Sequence, residues 1–352
     1  MVHKYLLLLF IALSACTRPE VSGLSDPGSA ATISRVFVAT QRRPDQFGDS
    51  FGLTRSARMN YATFDISIPD SHRTGQIERT SGIADANRFF APVAVKTYDR
   101  EAEFMRAMDS EKTGDGGILL FVHGYNNTLE DATYRVAQIR RDFGITQPGL
   151  LFAWPSAGDP RGYVYDRDSA LFARDAFEGL LRDLHRRGQK RILLVAHSMG
   201  SYLTMEVLRQ IALKGEREIY QSIEGVILMS PDLDPDVFRQ QAEAIGALPQ
   251  PFVIMSSRRD RVLSLAGLLT GRKPRLGRIE GPEAVEGLGV TVIDFTDIAG
   301  GEGAGHDVAF TSPIAIQLLR GMEARVRGGA GRLQEYVLLG KEHGTGTGLL
   351  AP

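Results

Sequence analysis

Cysteine is all but missing from this chain. Cys16 is the only one, so no intrachain disulfide can brace the fold. No His/Cys spacing typical of a metal centre occurs. No Gly-x-Gly-x-x-Gly opens a strand–helix unit, and no Gly-Lys-Ser/Thr loop is present to cradle a phosphate. Metal, dinucleotide and nucleotide chemistry is therefore not expected, and no cofactor is called for. An excess of one charge is lacking too. Lys and Arg number 41 against 42 Asp and Glu, a net charge of −1, which leaves no basic field to hold nucleic acid. The short basic pairs Arg42-Arg43, Arg186-Arg187 and Arg258-Arg259 read as solvated surface. Near the start, residues 6–13 form an apolar run too short to cross a bilayer.

What that start does contain is specific. Met1-Val2-His3-Lys4-Tyr5 is short and basic, the apolar run follows, and Leu13-Ser14-Ala15-Cys16 closes it. Residues 1–16 resemble a bacterial lipoprotein signal. The resemblance implies that residues 1–15 are a signal peptide and that Cys16 is lipidated as the mature N-terminus. The other reading is an ordinary buried cysteine. Residues 17–32 are rich in Ser, Gly, Pro and Ala, so residues 16–32 read as the lipidated cysteine and a flexible tether. A chain anchored in this way sits at a membrane surface outside the cytoplasm. Thr17 stands where an Asp would mark inner-membrane retention, so the resemblance implies the outer membrane. Residues 33–327 are then the folded domain. Residues 328–352, glycine-rich with one apolar patch at Tyr336-Val337-Leu338-Leu339, form a tail expected to be poorly ordered.

At 352 residues the chain is long enough for a sizeable core. Apolar runs of about five residues alternate with stretches of helical spacing. Strands are expected at 35–40, 63–68, 118–122, 150–154, 191–196, 225–229, 252–255 and 291–295. Helices are expected at 101–108, 129–143, 166–185, 202–213, 235–245 and 312–326. Ala173, Phe177, Leu180 and Leu184 make one apolar stripe of the third of these. Residues 41–58, rich in Arg, Gly, Asp and Ser, read as a loop, and residues 266–288 as an insertion or lid without regular pattern. Such an alternation indicates βαβ units and an α/β fold: a mostly parallel central sheet with helices on both faces.

Reactive groups in such a sheet collect beyond the carboxyl ends of the strands. The strand at 191–196 runs into Ala196-His197-Ser198-Met199-Gly200 and then a helix. A serine on so tight a turn, between small residues, is held in a strained conformation. The helix N-terminus then faces any oxyanion forming beside it. The serine could equally be a helix N-cap after a buried strand. Other strands lead into His123-Gly124-Tyr125-Asn126-Asn127, Trp154-Pro155-Ser156, Ser230-Pro231-Asp232-Leu233-Asp234, Arg258-Arg259-Asp260 and Gly305-His306-Asp307. In chain order, Ser198, Asp260 and His306 supply a nucleophile, an acid and a base. A serine hydroxyl is a weak nucleophile at neutral pH and needs a base within reach. The carboxylate fixes the tautomer of that base and stabilises its imidazolium. Asp232 and Asp234 are alternative acids one strand earlier, with helix capping as their other reading. His343, in the tail, is the other histidine downstream of Asp260. Trp154-Pro155-Ser156 and Tyr163-Val164-Tyr165 either line a pocket or pack at the sheet edge.

These marks, with Val38-Ala39-Thr40-Gln41-Arg42 and Phe121-Val122-His123-Gly124-Tyr125-Asn126, resemble the α/β-hydrolase superfamily. More narrowly the chain is similar to a bacterial, esterase- or lipase-like α/β-hydrolase family of uncharacterised function. The resemblance spans residues 35–325, and Ala196 departs from it by replacing the first glycine of the usual pentad. It implies the catalytic set Ser198, Asp260 and His306, and an oxyanion hole made by the backbone N–H groups of Tyr125 and Met199. It further implies that Asn126 anchors that loop or adds a donor, and that His123 and His197 are structural. The implied function is a serine hydrolase that cleaves a carboxylic ester, a small molecule or a lipid of the cell envelope, through an acyl-enzyme on Ser198. Two other classes stay open. One is a lipid-anchored binding or scaffold protein that keeps the fold without turnover. The other is an acyltransferase that uses the same residues with an envelope acceptor in place of water.

Overall fold

A long antiparallel hairpin opens the fold in the computed structural model, which describes residues 23–27, 32–45, 50–112, 116–271, 273–298, 305–327 and 336–338. Strand β1 (Thr32–Pro44) pairs with β2 (Phe51–Ile68), and β2 with β3 (Ala91–Tyr98). After α1 (Glu101–Ser110) the expected alternation sets in. It runs β4 (Ile118–Val122), α2 (Leu129–Phe143), β5 (Gly149–Ala153), α3 (Tyr163–Arg186), β6 (Ile192–His197) and α4 (Met199–Leu213). Then come β7 (Ile223–Met229), α5 (Pro235–Ile245), β8 (Phe252–Ser256), α6 (Arg261–Leu269) and β9 (Thr291–Asp294). A short α7 (Val308–Thr311), α8 (Pro313–Arg327) and β10 (Tyr336–Leu338) complete the described elements.

The sheet order is β10-β9-β8-β7-β6-β4-β5-β1-β2-β3. Every pairing from β10 to β1 is parallel, and only the β1–β2–β3 edge is antiparallel. Helices cover both faces, which is why the inner strands read as unbroken apolar runs. Along β4, Ile118, Leu120 and Val122 join one core, with Phe177 of α3 and Leu203 of α4. Leu119 and Phe121 join the other, with Val136 of α2 and Phe310 of α7. Local chemistry sets where the helices start. Thr128 and Asp131 close a capping box at the head of α2, their side chains accepting each other's backbone N–H at 3.1 and 3.0 Å. Gly144, at φ 67°, ends that helix in the left-handed region.

Three expectations are corrected. Residues 41–58 are not a loop, since β1 runs to Pro44 and β2 begins at Phe51. Strand propensity measures fit to neighbours, and the polar residues here fit because β1 has a long partner, with Arg42 opposite Arg55. Arg42 is not solvated: it is 0% exposed, while Arg43 beside it is exposed. Residues 266–288 hold the end of α6 and 3-10 turns at Leu276–Arg278 and Pro282–Ala284. These pieces are too short for a periodic signal to develop. β3 carries no expectation at all, because its half-exposed residues and Pro92 hide its alternation. The signal peptide, Cys16 and His343 lie outside the described residues, as does most of the tail; its residues 336–338 pair in parallel with β9. No helix among the described residues is long and apolar enough to cross a membrane.

Candidate active site

The turn between β6 and α4 places Ser198 at φ 51°, ψ −121°. Such a conformation costs about 1–3 kcal/mol for a residue with a side chain and persists only where its surroundings enforce it. Here they do. The Ser198 N–H donates to the Met229 carbonyl at 2.9 Å, and the Ser198 carbonyl accepts from Asp232 and Ser201 at 3.1 and 3.0 Å. Gly200 is obligatory on steric grounds. A Cβ there would lie 2.4 Å from the His123 carbonyl oxygen and 2.5 Å from that of Val122. Gly124 is equally constrained, since its Cβ would lie 2.8 Å from Cβ of Ser198. The elbow and the loop after β4 therefore meet backbone to backbone.

His306 and Asp260 come together beside this turn, the His306 ring packing against that of His197. Nδ1 of His306 lies 2.6 Å from Oδ2 of Asp260, both residues being buried. The other carboxylate oxygen accepts the Leu263 N–H at 2.8 Å, so Asp260 caps α6 while it holds the imidazole. The His306 carbonyl accepts from the Ser230 hydroxyl at 2.7 Å, which ties this histidine to the same strand end that anchors Ser198. Asp232 and Asp234 serve otherwise. The carboxylate of Asp232 accepts from the Tyr163 hydroxyl and faces Arg275, and Asp234 caps α5. Of the three aspartates weighed from the sequence, Asp260 is the one hydrogen-bonded to His306.

Two further histidines at the site, His123 and His197, are held below their ordinary pKa. Burial, with the charge of Arg42 second, brings the pKa of His123 down to about 3. Its ring stacks on Trp154 at 4.7 Å, and its two nitrogens lie 2.8 and 3.0 Å from the Gly124 and Trp154 carbonyls. A neutral imidazole donates to only one of them. Burial and the neighbouring His306 hold His197 well below its ordinary pKa, and its ring packs 4.7 Å from that of His306. His197, His306 and Asp307 bring ligand-type atoms within 4.8 Å of one another, the one such group among the described residues. Within this group His306 is already engaged by Asp260.

Sequence reasoning missed what holds the loop after β4. Asp166, fully buried at the head of α3, accepts from the Asn126 N–H at 2.9 Å, the Ser156 hydroxyl at 2.7 Å and the Ala157 N–H at 2.6 Å. From the other side, Nη2 of Arg42 donates to the Asn127 carbonyl at 3.0 Å. Ser156 also accepts the Asn127 N–H at 3.1 Å, and Trp154 donates to the His123 carbonyl at 2.8 Å. Asn126, at φ 58°, is thus fixed in a left-handed turn, its own N–H held by Asp166 and the next carbonyl by Arg42. Trp154 and Ser156, both fully buried, brace this loop. Burial raises the Asp166 pKa, against the hydrogen bonds that favour its charged form, and lowers that of Arg42 to about 10. Asparagine in place of Asp166 would set an NH2 donor against one of the three donors. Asp166→Asn is expected to cost about 1–3 kcal/mol of stability. It should also lower turnover with KM held, as read from urea midpoints and steady-state kinetics.

Comparison with known proteins places this geometry. A family model described as an alpha/beta hydrolase of unknown function, DUF900, matches residues 97–322. No curated protein matches the chain. Solved structures similar to it include an esterase from the hyperthermophilic archaeon Pyrobaculum calidifontis, at 11% identity and TM-score 0.39, covering 86% of this chain and 87% of that one. A predicted CIB-like hydrolase from Thermoplasma acidophilum is 14% identical at TM-score 0.36, covering 83% and 100%. The carboxylesterase EstE1, from a metagenomic library, is 10% identical at TM-score 0.37, covering 91% and 94%. Likeness at this level adds nothing about activity. The family match covers more than half of the chain, including the elbow, the loop after β4 and the His306–Asp260 pair, and the chain therefore belongs to the DUF900 family of alpha/beta hydrolases.

Proposed function

We propose that this protein is a serine hydrolase that cleaves carboxylic esters. The observation that carries the reading is the His306–Asp260 hydrogen bond, with the His306 ring packed on His197 next to a serine held at positive φ. In the proposed cycle Nε2 of His306 takes the Ser198 proton as Oγ attacks the ester carbonyl. The N–H groups of Tyr125 and Met199 stabilise the oxyanion. The imidazolium, held by Asp260, then returns the proton to the departing alcohol, leaving an acyl-enzyme. Water, deprotonated by the same His306, releases the acid and restores the hydroxyl. Attachment to the outer membrane through a lipidated Cys16 belongs to the same proposal and is supported by residues 1–16 alone. The experiment that tests the hydrolase reading is fluorophosphonate labelling followed by peptide mass spectrometry, with an adduct on Ser198 that His306→Ala abolishes. A folded protein that takes no adduct would refute it.

The base imposes a pH dependence with two signs. Burial opposes charging of His306, but the hydrogen bond and charge of Asp260 outweigh it and raise the pKa above the ordinary 6.5. The base works neutral, so kcat/KM is expected to climb with pH through an apparent pKa above 6.5. Stability moves the other way. A raised folded pKa means that the protonated His306–Asp260 pair stabilises the fold fully below pH 6.5, and that this contribution is lost as pH rises through the folded value. A pH–rate profile already flat at pH 6 would contradict this role for His306.

A further inference from the structure

One wall beside Ser198 carries charge on residues outside both the triad and the loop after β4. α3 contributes Tyr163 and Arg167, α4 contributes Tyr202, and the segment after α6 contributes Arg275. The Tyr163 hydroxyl donates to Oδ2 of Asp232 at 2.9 Å, and Nε of Arg275 lies 3.2 Å from Oδ1. The Asp232 N–H donates to the Ser198 carbonyl, so this cluster abuts the backbone of the nucleophile. Tyr125, the expected oxyanion residue, meets Tyr163 edge to face at 5.4 Å. Arg275 is only 4% exposed. Its segment is stitched in place by the N–H groups of Leu276 and Gly277, which donate to the Leu233 and Pro231 carbonyls at 2.7 and 3.0 Å. The stretch that reads as patternless thus delivers a buried cation to the site. Burying an ion pair is a poor route to stability, because desolvation offsets most of the attraction and apolar residues of similar volume serve as well.

Asp232 is matched by Arg275, which leaves Arg167 as the surplus charge. Its guanidinium sits 5.3 Å over the ring of Tyr202, one turn of α4 beyond Ser198. Burial depresses its pKa, and Tyr163, Tyr202 and Asp232 more than restore it. Two cations and one carboxylate give this wall a net positive charge in a partly desolvated setting, where an anion is held more strongly than in water. We propose that the ester cleaved at Ser198 bears an anionic group, which Arg167 binds at the Tyr163–Tyr202 wall. The proposal rests on the reading of Ser198 as the nucleophile. A guanidinium fork suits a carboxylate or phosphate, and the tyrosines supply a rigid, amphipathic floor.

The test compares kcat/KM for mono-4-nitrophenyl succinate and 4-nitrophenyl butyrate, esters of equal acyl length that differ in charge. The intact protein should favour the succinate. Arg167→Gln should lower the succinate-to-butyrate ratio about tenfold, equivalent to about 1.4 kcal/mol, Arg167→Lys should restore part of it, and added salt should erode it. The butyrate rate of each variant controls for folding. A ratio near one in the wild type, or unchanged in Arg167→Gln, would overturn the anionic assignment and leave the serine reading standing. Hydrolysis that survives Ser198→Ala would overturn both.

Discussion

Ester turnover by Ser198→Ala is expected to fall by about 10⁴-fold or more, while the variant unfolds in urea near the wild-type midpoint. Alanine keeps the Cβ that Gly124 lies against, so the elbow loses an oxygen and little else. Its φ of 51° stays as unfavourable for alanine as for serine, and the backbone bonds to Met229, Ser201 and Asp232 do not involve the side chain. What remains is the loop after β4 and any bound substrate, which together supply a residual acceleration of about 10³–10⁴ over water in enzymes of this kind. His306→Ala should fall nearly as far, and the double variant no further, because the residues of such a unit act together rather than additively. Chromogenic ester hydrolysis measures all three. Near-additive losses would mean that Ser198 and His306 do not work on one proton.

The second large effect is on stability. Gly200→Ala should destabilise by about 2–4 kcal/mol, against a gain of about 1 kcal/mol that alanine brings to a helix interior. The atoms in the way are the carbonyl oxygens of Val122 and His123. They are backbone at the end of a central strand and cannot turn aside as a side chain would. Relief requires α4 to lift from β4, which moves Ser198 away from the loop that carries Tyr125. Turnover should therefore drop with stability, and substrate should not restore it. A urea midpoint within error of the wild type would show that helix and strand have room the geometry denies.

Much of this architecture was legible in the chain itself, for identifiable reasons. The inner strands announce themselves because both their faces are buried. The residues after each strand could be inspected in turn because parallel sheets collect function there. Ser198, Asp260 and His306 fall at three such ends. The hairpin was not legible: Arg42, Arg55 and Asn60 have no strand signature, and their place is set by partners across the ladder. The bracing of the loop was hidden for a related reason. Arg42 lies on β1, Ser156 in the loop after β5 and Asp166 on α3, so no spacing connects them. A basic doublet reads as surface, yet Arg42 is among the most deeply buried residues of the protein. Local pattern shows which face of an element is apolar. It does not show which charge crosses the fold to hold a distant loop.

That crossing has a thermodynamic consequence. Asn126 is bent into its left-handed turn by partners on β1 and α3 that are in place once the chain is folded. The entropy of organising the backbone dipoles is thus lost during folding rather than on the way to the transition state. Substrate meets dipoles that need no reorientation. The barrier to reaction should then be mainly enthalpic, and loosening the loop would move part of it into the activation entropy.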